Sequence, residues 1–216
     1  MRQLGLNDIL FILAAVRWTL LLSIAAFVGG AIGGVVVALA RTSETGWQRL
    51  IANGYIKIFQ GTPLLMQLFL AFFVPGLFGW SVDPWMAAVL GLSLHASAFL
   101  GEIWRGAIES VPRGQWEAAA TLGLRYGTTM TNVIAPQALR IAIPPTIGFL
   151  VQLVKGTSLA SIIGFVEITR AAQVINNATF RPFTIFALVA FVYFLICWPL
   201  SVYSKIMERK LLVASR

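Results

Sequence analysis

Charge is scarce in this sequence. Asp, Glu, Lys and Arg make up 11% of its 216 residues, against roughly a quarter in soluble domains. Hydrophobic residues make up 58% and the mean hydropathy is +0.84. Such a chain cannot cover a water-facing surface, so composition alone makes it an integral membrane protein. Cysteine and histidine are almost absent. Cys197, inside an apolar run, excludes an internal disulfide, and with His95 as the single histidine no Cys/His metal set can form. No Gly-x-x-x-x-Gly-Lys loop is present to cradle phosphates, and there is no nucleophile elbow. These absences predict a chain that is not an enzyme and holds no metal or cofactor of its own. If it drives anything uphill, the energy comes from a partner or from an ion gradient. The formal charge of +8 fits basic cytoplasmic loops beside a lipid bilayer better than a nucleic-acid surface.

A helix needs about 20 apolar residues to cross a bilayer, which allows about five or six crossings here and no sizeable extramembrane domain. Residues 1–17 are mixed, with Asn7 as a candidate cap and Ile9, Leu10, Leu13 and Val16 on one face; they predict an interfacial helix rather than a cleaved signal peptide. Trp18 to Ala40 forms the first span. Its small residues at helical spacing, Ala26, Gly30, Gly34 and Ala38 with Gly29 and Gly33 alongside, predict close helix packing within one bundle. Arg41 to Lys57 is a basic connector. Ile58 to Phe78 is the second span, interrupted by Gly61-Thr62-Pro63. Trp85 to Trp104 is the third, Pro136 to Ile163 the fourth and Pro182 to Tyr203 the fifth, with a helix-length polar connector at 164–181.

An odd number of spans puts the termini on opposite sides. The connectors 41–57 and 105–140 and the tail from Lys205 hold eleven of the sixteen Lys and Arg residues, so these lie in the cytoplasm and the N-terminus lies outside. Trp80, Trp85, Trp104 and Trp116 near span ends fit an aromatic belt.

Inside the spans, polar side chains can be placed by depth. A helix rises 1.5 Å per residue in a hydrocarbon core about 30 Å thick, so Gln67 lies ~15 Å in from Lys57, His95 ~15 Å in from Trp85, and Gln152 ~18 Å in from Arg140. Three helices therefore bring polar groups to one layer, with Ser97 close by. Two readings stand: a substrate path at the midplane, or polar glue between helices. Lys155, ~22 Å from Arg140, either attracts an anionic group such as a carboxylate, snorkels outward or pairs with Glu167. Glu102 and Arg105, three residues apart, predict an ion pair on one helix.

One polar stretch stands apart from all this, running from Ile108 through Gly123 to Pro136. Ser110 is a candidate cap, Pro112 suits an early helical position, Gln115 to Leu122 is Ala-rich and helix-prone, and Gly123 is a natural stop. Thr128 or Thr129 can start a second helix leading into Pro136. A short rigid helix in a cytoplasmic loop can transmit force to a soluble partner; an amphipathic segment lying on lipid is the alternative.

Glu117-Ala118-Ala119, then three residues, Gly123, nine residues and Val133-Ile134-Ala135-Pro136 resemble the EAA loop of permease subunits in binding-protein-dependent ABC importers. The family pattern ends Ile-x-Leu-Pro, so Val and Ala stand here for Ile and Leu. Gly61-Thr62-Pro63-Leu64-Leu65, Glu102-Ile103-Trp104-Arg105-Gly106, Ser110-Val111-Pro112-Arg113-Gly114-Gln115, Lys155-Gly156-Thr157-Ser158-Leu159 and Thr179-Phe180-Arg181-Pro182-Phe183 look like the polar amino-acid branch, the histidine, glutamine, glutamate and arginine permeases.

The resemblance covers nearly the whole chain. It implies an all-α membrane protein, 1–216 forming a single transmembrane domain with five transmembrane helices in the type I ABC importer permease fold. It implies residence in a bacterial inner membrane, pairing with a second permease subunit as a homo- or heterodimer, a cytoplasmic ABC ATPase dimer that binds ATP and Mg, and a periplasmic or tethered amino-acid-binding protein. Residues 110–136 become the cytoplasmic coupling loop, with Gly114, Gln115, Glu117, Ala118, Ala119, Gly123 and Pro136 meeting the ATPase. Gln67, His95, Ser97, Gln152, Lys155, Gly156, Thr157 and Ser158 become substrate-path residues. Members of this branch often carry Arg where Gln60 stands and Asp where Gly156 stands; keeping Lys155 while losing that carboxylate leans away from cationic amino acids. The competing class, an ion-gradient-driven secondary transporter or channel, commonly has intramembrane carboxylates and inverted repeats, and this sequence shows neither at the midplane.

Overall fold

The computed structural model describes residues 4–43 and 45–214, with side chains through Leu211. The described residues are helical, joined by short turns. In chain order the helices are α1 (Leu6–Ala14), α2 (Val16–Thr42), α3 (Gly46–Gly61), α4 (Leu64–Leu77), α5 (Pro84–Glu109), α6 (Arg113–Thr121), α7 (Tyr126–Thr129), α8 (Ala135–Gly156), α9 (Ile168–Thr179) and α10 (Pro182–Ala214). A π-helical turn, Met130–Ile134, joins α7 to α8, and a 3₁₀ turn, Thr157–Ser161, follows α8. Four runs are long and apolar enough to cross a membrane: Leu6–Thr42, Pro84–Glu109, Tyr126–Ser161 and Pro182–Leu211. The pair α3 and α4, bent by 103° at its break, supplies the fifth as a broken span.

The frame of the bundle is the parallel pairing of α2 with α5, which share a seam of small residues. No hydrophobic force drives helices together in lipid, so contact depends on how closely backbones approach. A methyl placed on Gly30 would overlap Ala96, and one on Gly101 would sit 2.5 Å from Val37 Cγ1. The glycines exclude side chains at these crossings and thus lock the pair. This is the intrabundle packing expected of the first span. Leu22, Ala26, Leu92, Ala96 and Leu100 line the buried core beside the seam, completed by Leu68 from α4 and Phe149 and Leu153 from α8.

Several boundaries differ from expectation, each for a local reason. Residues 46–57, read as a connector, are part of α3, because Ala52, Tyr55 and Ile56 turn inward while Arg49 and Lys57 stay out. The second span therefore begins earlier than Ile58. The N-terminal helix is capped at Gly5 rather than Asn7, and the Gly5 N–H donates to the Asp8 carboxylate at 2.9 Å. It runs through Ala15 into α2 and buries Asp8, Ile12 and Ala15, leaving Leu10 and Leu13 of the expected apolar face exposed. The cause is α9. Its apolar face, Ile168, Ala171, Ala172 and Ile175, needs a cover, and Ile12 and Ala15 supply it together with Ile185, Val189 and Val192 of α10. The π turn before α8 has a cause in Pro136, which lacks an N–H and whose ring collides with the carbonyl four residues back. Widening the preceding turn removes the collision while Pro136 occupies the first turn of α8.

Glycine in the left-handed region ends helices at three points among the described residues: Gly79, Gly123 and Gly164. At each the backbone N–H of the glycine and of the residue after it fold back onto the helix, as in Leu124 N–H to Ala119 O and Gly123 N–H to Ala120 O.

Candidate functional site

Two regions hold the residues that chemistry could use: the exposed helix α6 and a polar layer around the break between α3 and α4.

Helix α6 is only nine residues long and would be marginal by itself. Its neighbours hold it. Ser110 does not cap it, contrary to expectation; Ser110 closes α5 instead, with its hydroxyl donating to Gly106 O at 2.7 Å. The chain turns at Val111, which is buried with Ala107, Met130, Ile134, Ala138 and Ala142. Pro112 then precedes the first helical residue. Ala119 is buried, and Trp116 packs against this cluster and stacks on Tyr126 with centroids 6.2 Å apart. Gly123, at φ +68°, ends the helix as expected. The second helix starts at Tyr126 rather than at Thr128 or Thr129. Everything else on α6 points outward: Gly114, Gln115, Glu117 and Ala118 are exposed, and Leu122 is 76% exposed. Pro136 is exposed too, and Gln137 Nε2 donates to Gln115 Oε1 at 3.3 Å, tying α8 to the start of α6. The outcome is a rigid helix of zero net charge, with mostly small exposed side chains and a leucine projecting at its end, held against the bundle along one edge. A partner could grip it on three sides.

The base of this helix is an ionic cluster. Arg105 bonds Glu102 through Nε and Nη2, at 2.9 and 2.5 Å, and also bonds Glu109. The Glu102–Arg105 pair was expected; Arg41 of α2, 3.9 Å from Glu102, was not. Trp104 Nε1 donates to Thr146 Oγ1 of α8 at 3.0 Å. The segment leading into α6 is thereby tied to both α2 and α8.

The polar layer is only partly as expected. Gln67 and His95 do meet, His95 Nδ1 lying 3.0 Å from Gln67 Oε1. Gln67 is 7% exposed, and its amide nitrogen reaches Phe59 O, Thr62 O and Thr62 Oγ1 at 2.8, 3.0 and 2.9 Å. His95 lies against Phe99, centroids 4.6 Å apart, and Phe99 stacks on Phe149 of α8 at 5.4 Å. Ser97 points away from this group. Its Oγ lies 2.6 Å from the hydroxyl of Tyr55, and both hydroxyls reach Leu94 O. Gln152 does not join them; it is exposed on the surface of α8, with no hydrogen bond to Gln67 or His95.

The region after Gln152 divides as well. Gly156 lies under α4, where a methyl on it would come within 3.1 Å of Leu64 Cδ2. Thr157 is fully buried, with its hydroxyl bonded to Val154 O at 2.6 Å, and Ser158 bonds Lys155 O. Lys155 is exposed beside a groove of about 390 Å³ between α8 and α10, lined also by Tyr193, Cys197 and Ser201. No pair with Glu167 forms. Glu167 is committed elsewhere: its carboxylate caps α9, accepting from the backbone N–H groups of Thr169 and Arg170 and from the Tyr193 hydroxyl, at 2.9, 2.8 and 2.8 Å. Burial pushes the Glu167 carboxyl above its usual range, against the pull of those three donors. Sequence reasoning offered Glu167 only as a partner for Lys155, and it missed Tyr193 and Tyr55. Glu is outside the usual capping set of Ser, Thr, Asp and Asn. No group of His, Cys, Asp and Glu that could hold a metal occurs among the described residues.

Comparison with known proteins gives this architecture its relatives. Residues 30–213 match the family described as "Binding-protein-dependent transport system inner membrane component". The chain is 36% identical over 208 residues to the probable amino-acid ABC transporter permease YckA of Bacillus subtilis, covering 96% of this chain and 92% of that one. It is 40% identical over 197 residues to the L-cystine transport system permease TcyB of the same organism, covering 91% and 84%. Among solved structures it is similar to an amino acid ABC transporter crystallised with histidines, at TM-score 0.88 and 30% identity over 97% of this chain and all of that one. The inward-facing methionine transporter MetNI matches at TM-score 0.74 and 18% identity and shows the shared fold. The chain belongs to the family of inner-membrane permease components of binding-protein-dependent ABC transport systems.

Proposed function

We propose that the chain is the permease subunit of an inner-membrane importer for polar amino acids, powered by ATP hydrolysis on a partner ATPase pair and supplied by an amino-acid-binding protein. The names of its relatives support the substrate class, since they include an L-cystine permease and a probable amino-acid permease. The observation that carries the reading is α6: a rigid, exposed helix braced by Val111, Ala119 and the turn at Gly123, in a chain with no nucleotide-binding loop. Gly114, Gln115, Glu117 and Ala118 form the face that docks on the ATPase; Ala119, expected on that face, is buried and braces the helix instead, and Gly123 and Pro136 set its orientation. ATP and Mg belong to that partner, and the permease holds no cofactor. α6 and the C-terminus lie in the cytoplasm and the N-terminus in the periplasm, as the distribution of Lys and Arg requires. A second permease subunit covers the polar strip of α8 that carries Gln152 and Lys155, because lipid cannot solvate those groups. Gly156, Thr157 and Ser158 lie where the end of α8 meets the start of α4, beside the path, and Gln67, His95 and Ser97 shape its wall.

The test is mutational. Glu117→Lys reverses a charge on the docking face without touching the fold, and Gly123→Pro cannot adopt φ +68° and removes the N–H bonded to Ala120 O. Both variants should insert in the membrane, lose the ATPase on co-purification and lose amino-acid uptake. Wild-type uptake and ATPase recovery in both would contradict the docking role.

A further inference from the structure

The break between α3 and α4 is held by one side chain. A helix that stops inside a membrane leaves its last carbonyls without partners, and each costs several kcal/mol in hydrocarbon by the usual ~2–7 kcal/mol range for an unpaired polar group. At the end of α3, Thr62 Oγ1 donates to Ile58 O at 2.8 Å. Phe59 O and Thr62 O are met by Gln67, which reaches back across Pro63 from the first turn of α4. Gln67 thus bridges the two halves of a 103° bend.

The orientation of its amide follows from chemistry. Backbone carbonyls only accept hydrogen bonds, so the atom between Phe59 O and Thr62 O must be the NH₂ group. The amide oxygen is then the atom facing His95 Nδ1 at 3.0 Å. That oxygen only accepts, so Nδ1 must carry a proton. The ring itself is held by Phe99, which is stacked on Phe149 of α8.

We propose that His95 and Gln67 form a positioning relay: a neutral His95, protonated at Nδ1, orients Gln67, and Gln67 fixes the angle at which α4 leaves α3. The angle matters because it sets Leu64, the first residue of α4, against Gly156 and Leu92, where the end of α8 meets the break. His95 and Gln67 touch no substrate in this role; they act through the placement of α4. A neutral histidine side chain in water prefers the proton on the other nitrogen, Nε2, so the relay leaves a signature that a merely packed histidine would not. The functional part rests on the transport reading above; the structural part does not.

The experiment uses the assembled transporter in lipid, with ¹⁵N-histidine incorporated in this chain alone and no histidine in its purification tag. The single histidine gives one pair of ring nitrogens. Expected is a protonated Nδ1 and an unprotonated Nε2 in the wild type, and a shift to the Nε2-protonated form in Gln67→Leu, where the acceptor is gone. An Nε2-protonated wild type, or a tautomer indifferent to Gln67→Leu, overturns the relay. Uptake of labelled L-cystine and L-glutamine supplies the second readout. His95→Asn places an amide N–H where Nδ1–H stands and should retain uptake, while His95→Leu should lose it; equal loss in both overturns the positioning role. The tautomer is read whether or not the protein transports, so failure of the relay and failure of the transport reading are distinguishable.

Discussion

The seam between α2 and α5 and the break between α3 and α4 solve opposite problems in the same solvent. The seam joins two unbroken helices whose backbone groups are already satisfied, so only shape is left to decide, and Gly30 against Ala96 and Gly101 against Val37 decide it by having no side chain. The break exposes backbone, so shape is insufficient, and Gln67 and Thr62 satisfy carbonyls that lipid cannot. The first is a rigid frame set by close backbone approach, with Ser93 and Ser97 seated against Gly29 and Gly33. The second is a polar hinge whose angle depends on a few hydrogen bonds. A protein that must change shape while staying folded needs both kinds of joint, and here they share α5: its small residues meet α2 and its His95 meets Gln67.

Breaking the frame should have the largest effect. Gly30→Leu forces four carbons into space that Ala96 fills, beyond the ~1–3 kcal/mol of ordinary overpacking, because backbone rather than flexible side chain lies opposite. Expected is loss of monodisperse protein from detergent extracts; normal yield and melting temperature would show that α2 and α5 can separate cheaply. A bond at the edge of the frame is worth less. Thr146→Val keeps the side-chain shape but removes the acceptor of the Trp104 bond that ties α5 to α8, at a cost of about 1 kcal/mol and a small fall in melting temperature.

The smallest effect sharpens a third kind of joint, the cap of α9. Glu167 is fully buried and its carboxyl is raised above the ordinary value of 4.5. The folded state therefore holds that proton more tightly than the unfolded chain does. Its contribution to stability is full below the ordinary carboxylate value and is lost as pH rises through the raised one. The melting temperature of the wild type should fall across that interval, and Glu167→Gln should flatten this part of the profile. A wild-type profile that rises there instead would mean the three hydrogen-bond donors outweigh burial.

Much of this was legible in the sequence where one residue type answers one physical need. Gly123 ends α6 as expected, the Gly61-Thr62-Pro63 interruption is a true break, and depth arithmetic brought Gln67 and His95 together. Depth does not fix azimuth, however. Gln152 shares the layer but stays exposed on the surface of α8, and Ser97 faces Tyr55 rather than His95. Residues 46–57 read as a connector because Arg49 and Lys57 dominate its composition, although its inward stripe of Ala52, Tyr55 and Ile56 is apolar enough to pack. The burial of Ile12 and Ala15 depended on the face of α9, which no local pattern in the first fifteen residues reveals.

The central claim, an ABC permease driven through α6, is tested most directly by reconstitution. Proteoliposomes holding this permease assembly are loaded with ATP, with and without its ATPase pair, and given labelled amino acid with the solute-binding protein outside. Expected is accumulation only when ATPase and ATP are both present, abolished by Glu117→Lys. Accumulation by the permease alone under an ion gradient, unchanged by Glu117→Lys, would contradict it.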